Sequence, residues 1–314
     1  MKRLLSLVLL FMLVITGCTA PAQPEAKPLK IAVLPVLDVL PLYFAEANGY
    51  FKANGVEVEL VPVASAPERD QLMQAGQIDG MLTESVTSLI YNRDAARIKI
   101  VRFARTASPS APIFRILAAK DSGIQSPADL KGVEIGISQG TIIDYMTDRA
   151  LEKAGLAKED IARVAVPKID ERLALLASGQ LKAATLPDPV ASLALQQGAV
   201  LVVDDTTVPD VSNSVYAFSV KSLEENPTAV KAFLKAVEQA VLEINKDKSA
   251  VKPLLVEKKL VPPPLLDSYV LPDYPTAAVP SQDQWADALA WAKERGLVTT
   301  DVSYASTVDG SFLP

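Results

Sequence analysis

Leu29-Lys30-Ile31-Ala32-Val33-Leu34, closed on either side by Pro28 and Pro35, is an apolar run with the length of a buried strand rather than a helix. The residues after it decide how it is used. Residues 42–52 have helical spacing and stop before Gly55, residues 56–63 alternate as a strand does, and residues 67–77 are helical with Leu72 and Met73 inward. Residues 78–83 then lead into a further helix over 85–94. Strand and helix alternating at such short intervals predict βαβ units on a mostly parallel sheet, because parallel strands need a crossover that packs back on the sheet.

Further along, residues 99–105 and 113–119 read as strands, and Ser126-Pro127-Ala128-Asp129 has the capping residue and first-turn proline of a helix start. A strand over 133–137 and a helix over 141–154, ended by Gly155, come next. Residues 163–166, 171–177, 183–186, 190–197 and 200–203 repeat the alternation, so a second α/β unit is complete by about Asp205. The Gly76-Gln77 turn recurs as Gly179-Gln180, each between an apolar helix end and an entering strand, which fits two lobes of similar build. After a strand-like run over 213–220 the chain turns helical. Residues 227–245 place Val230, Phe233, Leu234, Val237, Val241 and Ile244 on one face, and Ser281-Gln282-Asp283-Gln284 is a capping box opening a helix with Trp285 and Leu289 inside.

Composition narrows the function. With 314 residues, 49% hydrophobic and 22% charged, the chain is too apolar for intrinsic disorder. Lys+Arg 31 against Asp+Glu 37 gives a formal charge of −6 and no basic stripe, so nucleic acid is not an expected partner. His 0 removes the Ser-His and Cys-His hydrolases and histidine zinc sites, and the single cysteine, Cys18, leaves no internal disulfide or CxxC pair. No metal or cofactor is expected.

Met1-Lys2-Arg3, an apolar run over 4–15 and Ile15-Thr16-Gly17-Cys18 read as a signal peptide over 1–17. Twelve residues rise about 18 Å as a helix, short of the roughly 30 Å hydrocarbon core. Thr16-Gly17 before Cys18 resembles a bacterial lipobox, so Cys18 is expected to carry a lipid anchor on a tether over 18–28 containing Pro21, Pro24 and Pro28. The body, starting at Leu29, is then extracytoplasmic and membrane-anchored.

Pro41-Leu42-Tyr43-Phe44-Ala45, Gly49-Tyr50-Phe51, Gly55-Val56-Glu57-Val58 and Ala75-Gly76-Gln77-Ile78-Asp79-Gly80 are followed in order by Ser122-Gly123-Ile124, Asp129-Leu130-Lys131-Gly132, Gly140-Thr141, Leu151-Glu152-Lys153-Ala154-Gly155-Leu156 and Glu225-Asn226-Pro227. Together, from Leu29 to about Asn245, they resemble the solute-binding components of ABC importers in the nitrate, sulfonate, taurine and thiamine-precursor group. The resemblance implies a two-lobed α/β fold of the type 2 periplasmic-binding-protein kind. Its first lobe would hold residues 29–115 and 217–314, its second 116–216, with strands at 113–119 and 215–220 crossing between them. It implies a monomer without chemistry of its own that closes its lobes on a small molecule and delivers it to a membrane permease. Enzymes share this architecture, but the pyrimidine-precursor synthases depend on a histidine and a cysteine-rich segment, and neither exists here. A structural surface lipoprotein would give no reason for two lobes about a cleft.

Ser138-Gln139-Gly140-Thr141 follows a strand and opens a helix, so backbone N–H groups there would hold an anion, although Thr141 serves equally as a cap. Thr83-Glu84-Ser85 is the matching turn of the first lobe; Glu84 or Ser85 would cap its helix, and a Glu84 facing the cleft would repel a sulfonate. Asp38 lies in the loop after the first strand. Arg105 and Arg115 could fork onto a carboxylate or sulfonate, or pair with a neighbouring acid. Asp188, in Leu186-Pro187-Asp188-Pro189, either meets ligand or caps the next helix, and Tyr43 and Tyr216 supply an aromatic wall or pack in the core. Helix ends and arginines favour a small anion such as a sulfonate, nitrate or taurine; the three acids favour a neutral heterocycle such as a pyrimidine or flavin. The anion is preferred.

Overall fold

The computed structural model describes residues 27–108 and 110–314. The expected signal peptide, Cys18 and all but the last two tether residues lie outside the described residues.

Ten strands form two sheets: β1 (Leu29–Val33), β2 (Val58–Pro62), β3 (Gly80–Thr83), β4 (Ile98–Thr106), β5 (Phe114–Ala118), β6 (Ile135–Ile137), β7 (Arg163–Ala165), β8 (Ala183–Pro187), β9 (Val200–Asp204) and β10 (Asn213–Ser219). Their orders, β2-β1-β3-β10-β4 and β7-β6-β8-β5-β9, follow one plan. Three strands run parallel, and the fourth place is taken by an antiparallel strand, β10 between β3 and β4 in one sheet and β5 between β8 and β9 in the other. Each antiparallel strand is the first that the chain enters after changing lobes. β5 and β10 therefore receive the crossings rather than making them; among the described residues the crossings are 107–108 with 110–113, and 205–212. Strand pairing puts 114–115 in the second sheet and 213–216 in the first, which corrects the divisions expected at 115/116 and 216/217. Asp205, fully buried, ties the two crossings together by accepting the N–H groups of Ile113 (3.1 Å) and Phe114 (3.0 Å). Burial pushes its carboxyl up to about 6, against the opposing pull of those donors.

The helix expected over 42–52 is two helices, Leu40–Ala47 and Tyr50–Ala53, because Gly49 between them has φ +69, a left-handed conformation that ends the first. The long helix Pro227–Lys246 buries all six residues placed on its apolar face. Its Phe233, fully buried, has its ring 5.5 Å from Phe51, 5.4 Å from Phe218 and 6.0 Å from Tyr216, which fixes the helix to the first sheet. The capping box at Ser281 forms in both directions, with Gln284 N–H on Ser281 Oγ (3.2 Å) and Ser281 N–H on Gln284 Oε1 (2.9 Å). The helix it opens, Gln282–Glu294, packs against Ser85–Tyr91 of the first lobe and also against Ile142–Lys153 of the second. Assigning all of 217–314 to the first lobe does not capture that second contact. Among the described residues no helix is long and apolar enough to cross a membrane.

Candidate ligand-binding site

The parallel strands of both sheets run toward one cavity of about 80 Å³, bordered by Leu34 after β1, Thr83 of β3, Ser138 after β6 and Pro187 of β8. A ligand site at the carboxyl ends of parallel strands is where open α/β sheets place one. At roughly 10–15 Å³ per water, the space suits a molecule displacing about five to eight waters. Helices Ala66–Gln74, Ser85–Tyr91, Ile142–Lys153 and Ile169–Ala177 all begin at its wall, so their positive ends converge there.

Of the residues singled out in the sequence, Asp38, Thr83, Glu84, Ser138 and Thr141 line this cavity, and the others do not. Asp38 is held by Arg105 Nη1 at 3.2 Å. Glu84 caps the helix Ser85–Tyr91, accepting the Thr87 N–H at 2.8 Å and the Thr87 hydroxyl. Burial raises its carboxyl above the usual range, while Arg69 opposes that shift. Thr141 caps the helix Ile142–Lys153 and donates to the Ser138 carbonyl at 2.8 Å.

Arg105 and Arg115 are committed elsewhere: the first to Asp38 and the Pro112 carbonyl (3.0 Å), the second to Asp188 and Ser192 Oγ (3.0 Å). Both border a separate depression with Asp188 and Tyr269; Asp38 reaches Arg105 from the turn after β1, and Asp188 reaches Arg115 from the end of the neighbouring strand β8. Ser85 donates to Asn213 Oδ1 at 2.9 Å inside the first lobe. Gln139 is exposed, and Gly140 gives its N–H to Asp144 Oδ2 at 3.0 Å. Tyr216 is packed on Phe233 with its hydroxyl on the Asp38 carbonyl (3.3 Å), so it is core rather than wall. Tyr43 stands apart, with Lys258 Nζ 5.0 Å from its ring centre.

Three residues of the cavity wall each have a buried polar atom without a hydrogen-bond partner: Thr83 through Oγ1, Ser214 through Oγ and Arg172 through Nη2. The two hydroxyls lie on paired strands, Thr83 opposite Val215 in the β3–β10 register. Arg172 is fully buried; its Nε donates to the Thr185 carbonyl (2.9 Å) and its Nη1 to the Val166 carbonyl (2.6 Å). Among the described residues no carboxylate pairs with it, and burial alone pulls the guanidinium down to about 10, still cationic at neutral pH. Gly136 of β6 makes room for it, since a Cβ there would sit 3.3 Å from Arg172 Cγ and 2.5 Å from Leu181 Cδ1. A buried, unpaired cation in a cavity wall, with one donor unused, is an arrangement that an anion completes.

The rest of the wall is largely apolar, with Val36, Ile113, Phe114, Ile142 and Ile169 among its side chains. Arg172, Ser214 and Arg69 were missed by the sequence reading. Arg172 had a readable sign: Ile169, Arg172 and Leu176 form the buried stripe of one helix, so a charge stands where an apolar residue is the rule.

The chain is 27% identical over 224 residues, 71% of its length and 69% of the relative's, to the Escherichia coli (strain K12) protein named "Putative aliphatic sulfonates-binding protein". Its fold matches the alkanesulfonate-binding protein SsuA of Xanthomonas axonopodis pv. citri bound to MOPS, with TM-score 0.77, 20% identity, and 91% and 99% of the two chains covered. The fold is shared also by an enzyme, the desulfurization enzyme DSZB (TM-score 0.65, 18% identity, 91% and 97% covered), so fold alone does not separate binding from catalysis. A family model described as NMT1/THI5 like matches residues 37–249, more than half of the chain, and the protein belongs to that family.

Proposed function

We propose that the protein is an extracytoplasmic solute-binding component of an ABC importer and that it captures a small organic anion with a short apolar body. The observation that carries this reading is Arg172, a buried cation of the cavity wall whose Nη2 has nothing to receive its hydrogen bond. The apolar side chains accept a short hydrocarbon, and Thr83 and Ser214 offer further hydrogen bonds from the opposite lobe. Glu84 is the feature that speaks for a neutral ligand instead, but its carboxylate already serves Thr87 and is opposed by Arg69, which softens its repulsion of an anion. The names of the sulfonate-binding relatives point the same way.

Thermal unfolding with short alkanesulfonates, carboxylates, nitrate, pyrimidines and flavins checks this. A ligand at a hundred times its Kd adds about 2.7 kcal/mol. Short sulfonates or carboxylates are expected to raise Tm; stabilisation by a pyrimidine or flavin alone would overturn the anion reading. Delivery to a permease and retention at the membrane through Cys18 extend the proposal. Cys18→Ser is expected to move the protein from the membrane to the soluble fraction with ligand affinity unchanged, and a variant that stays membrane-bound would remove the anchor.

A further inference from the structure

Helix Gln282–Glu294 connects the lobes a third time. The chain after it is stitched to the first lobe: Thr300 Oγ1 donates to the Arg93 carbonyl (2.9 Å), Asn92 Nδ2 to Thr307 Oγ1 (3.0 Å), and the Asp309 N–H to the Ile100 carbonyl of β4 (2.8 Å). The helix itself packs on Ser85–Tyr91 of the first lobe and reaches the second through side chains. Arg149 forks onto Asp287 through Nε (3.1 Å) and Nη2 (2.9 Å), and Tyr145 donates to the same carboxylate. Trp291 Nε1 donates to Asp148 Oδ2 at 2.8 Å, and its ring lies 5.2 Å from that of Tyr145.

Tyr145, Asp148 and Arg149 belong to the helix Ile142–Lys153, whose first residues line the cavity. The clasp therefore holds the second-lobe helix whose opening end meets the ligand, while its own root is fixed in the first lobe. Separating the lobes here requires either breaking the side-chain contacts of the helix with the second lobe, which are the Asp287 fork, the Trp291–Asp148 bond, the Lys158–Glu294 pair and Arg295 near Asp144 (3.7 Å) and Asp148 (3.8 Å), or tearing the helix and tail from Ser85–Tyr91 and β4. The tail is held by backbone pairing and the fork by side chains with solvent within reach, Asp287 being 48% exposed, so the fork is the weaker link.

We propose that the carboxyl-terminal helix is an intramolecular clasp that biases the protein toward the closed arrangement of its lobes before any ligand binds. Its contacts lie outside the cavity, so they set how often the site opens without choosing what enters it.

The test uses the full ligand-free chain, comparing wild type with Asp287→Ala/Arg149→Ala by small-angle X-ray scattering and hydrogen exchange. The variant is expected to have a larger radius of gyration and roughly tenfold faster exchange at 83–85 and 138–143, the two cavity turns outside the segment 282–294. An unchanged radius, with faster exchange confined to 282–294, would mean that the helix frays while the lobes stay together, and would overturn the clasp. Should circular dichroism show the double variant unfolded, Asp287→Asn, which keeps the shape and one acceptor, is expected to shift both readouts the same way by less; no shift there overturns the proposal equally.

Discussion

Arg172→Gln is expected to lower the affinity for whichever anion stabilises the wild type by a hundredfold or more, about 3 kcal/mol, as removing one partner of a desolvated charged contact does. Glutamine keeps polar reach but gives up the positive charge and the fork. The substitution also withdraws donors from the Thr185 and Val166 carbonyls, so part of any loss could come from the fold of the second lobe. Two measurements separate these effects. Unfolding of the ligand-free variant reports the structural cost, which is partly offset because a desolvated cation is removed at the same time. Arg172→Lys restores charge without the fork and should recover some affinity, whereas a purely structural role would leave it as impaired as the glutamine variant. A folded Arg172→Gln protein with wild-type affinity would show that the anion does not sit on this guanidinium.

Phe233→Ala should cost about 3–5 kcal/mol, because a fully buried ring is replaced by a void that its neighbours fill only partly. Phe51 stacks on one side, while Phe218 and Tyr216 meet the ring edge to face, so no single neighbour can collapse into the space without losing a contact of its own. Against a total stability of roughly 5–15 kcal/mol this is a large fraction, and Tm should fall by on the order of 10 °C. Tyr216 also holds the Asp38 carbonyl through its hydroxyl, so the cavity wall should loosen with the core. A loss below about 1.5 kcal/mol in denaturant titration would mean that the aromatic cluster repacks freely and is not what seats the long helix.

The alternation of strands and helices was legible because it is a local property: runs such as Leu29 to Leu34 and Val230 to Ile244 declare their period whatever surrounds them. What the local pattern could not resolve was where one element ends when a glycine intervenes, as at Gly49, or which lobe claims a strand at a crossing, as with β10. For the site, turns after strands were found because strand ends and helix starts have their own residues: Thr83 and Glu84 of one turn and Ser138 and Thr141 of the other border the cavity. Charged residues were harder. Arg105 and Arg115 stood between a ligand and a neighbouring acid, and the order of residues could not name the acids, because Asp38 and Asp188 are 67 and 73 residues away. Arg172 looked ordinary for the converse reason, since a missing partner leaves no mark in the order of residues.

The place of β10 bears on how the molecule is made. It is laid between β3 and β4, yet it leaves the ribosome more than a hundred residues after β3. The middle block, from β5 to β9, is continuous in the chain and can set while synthesis goes on, as contiguous units tend to do. The amino-terminal block cannot: until Asn213–Ser219 emerges, its sheet is a three-stranded piece and a lone strand with bare backbone edges facing each other. Translation thus keeps the earliest part of the polypeptide unfinished for longest, and a chain interrupted before residue 213 would hold one mature half and one sticky half.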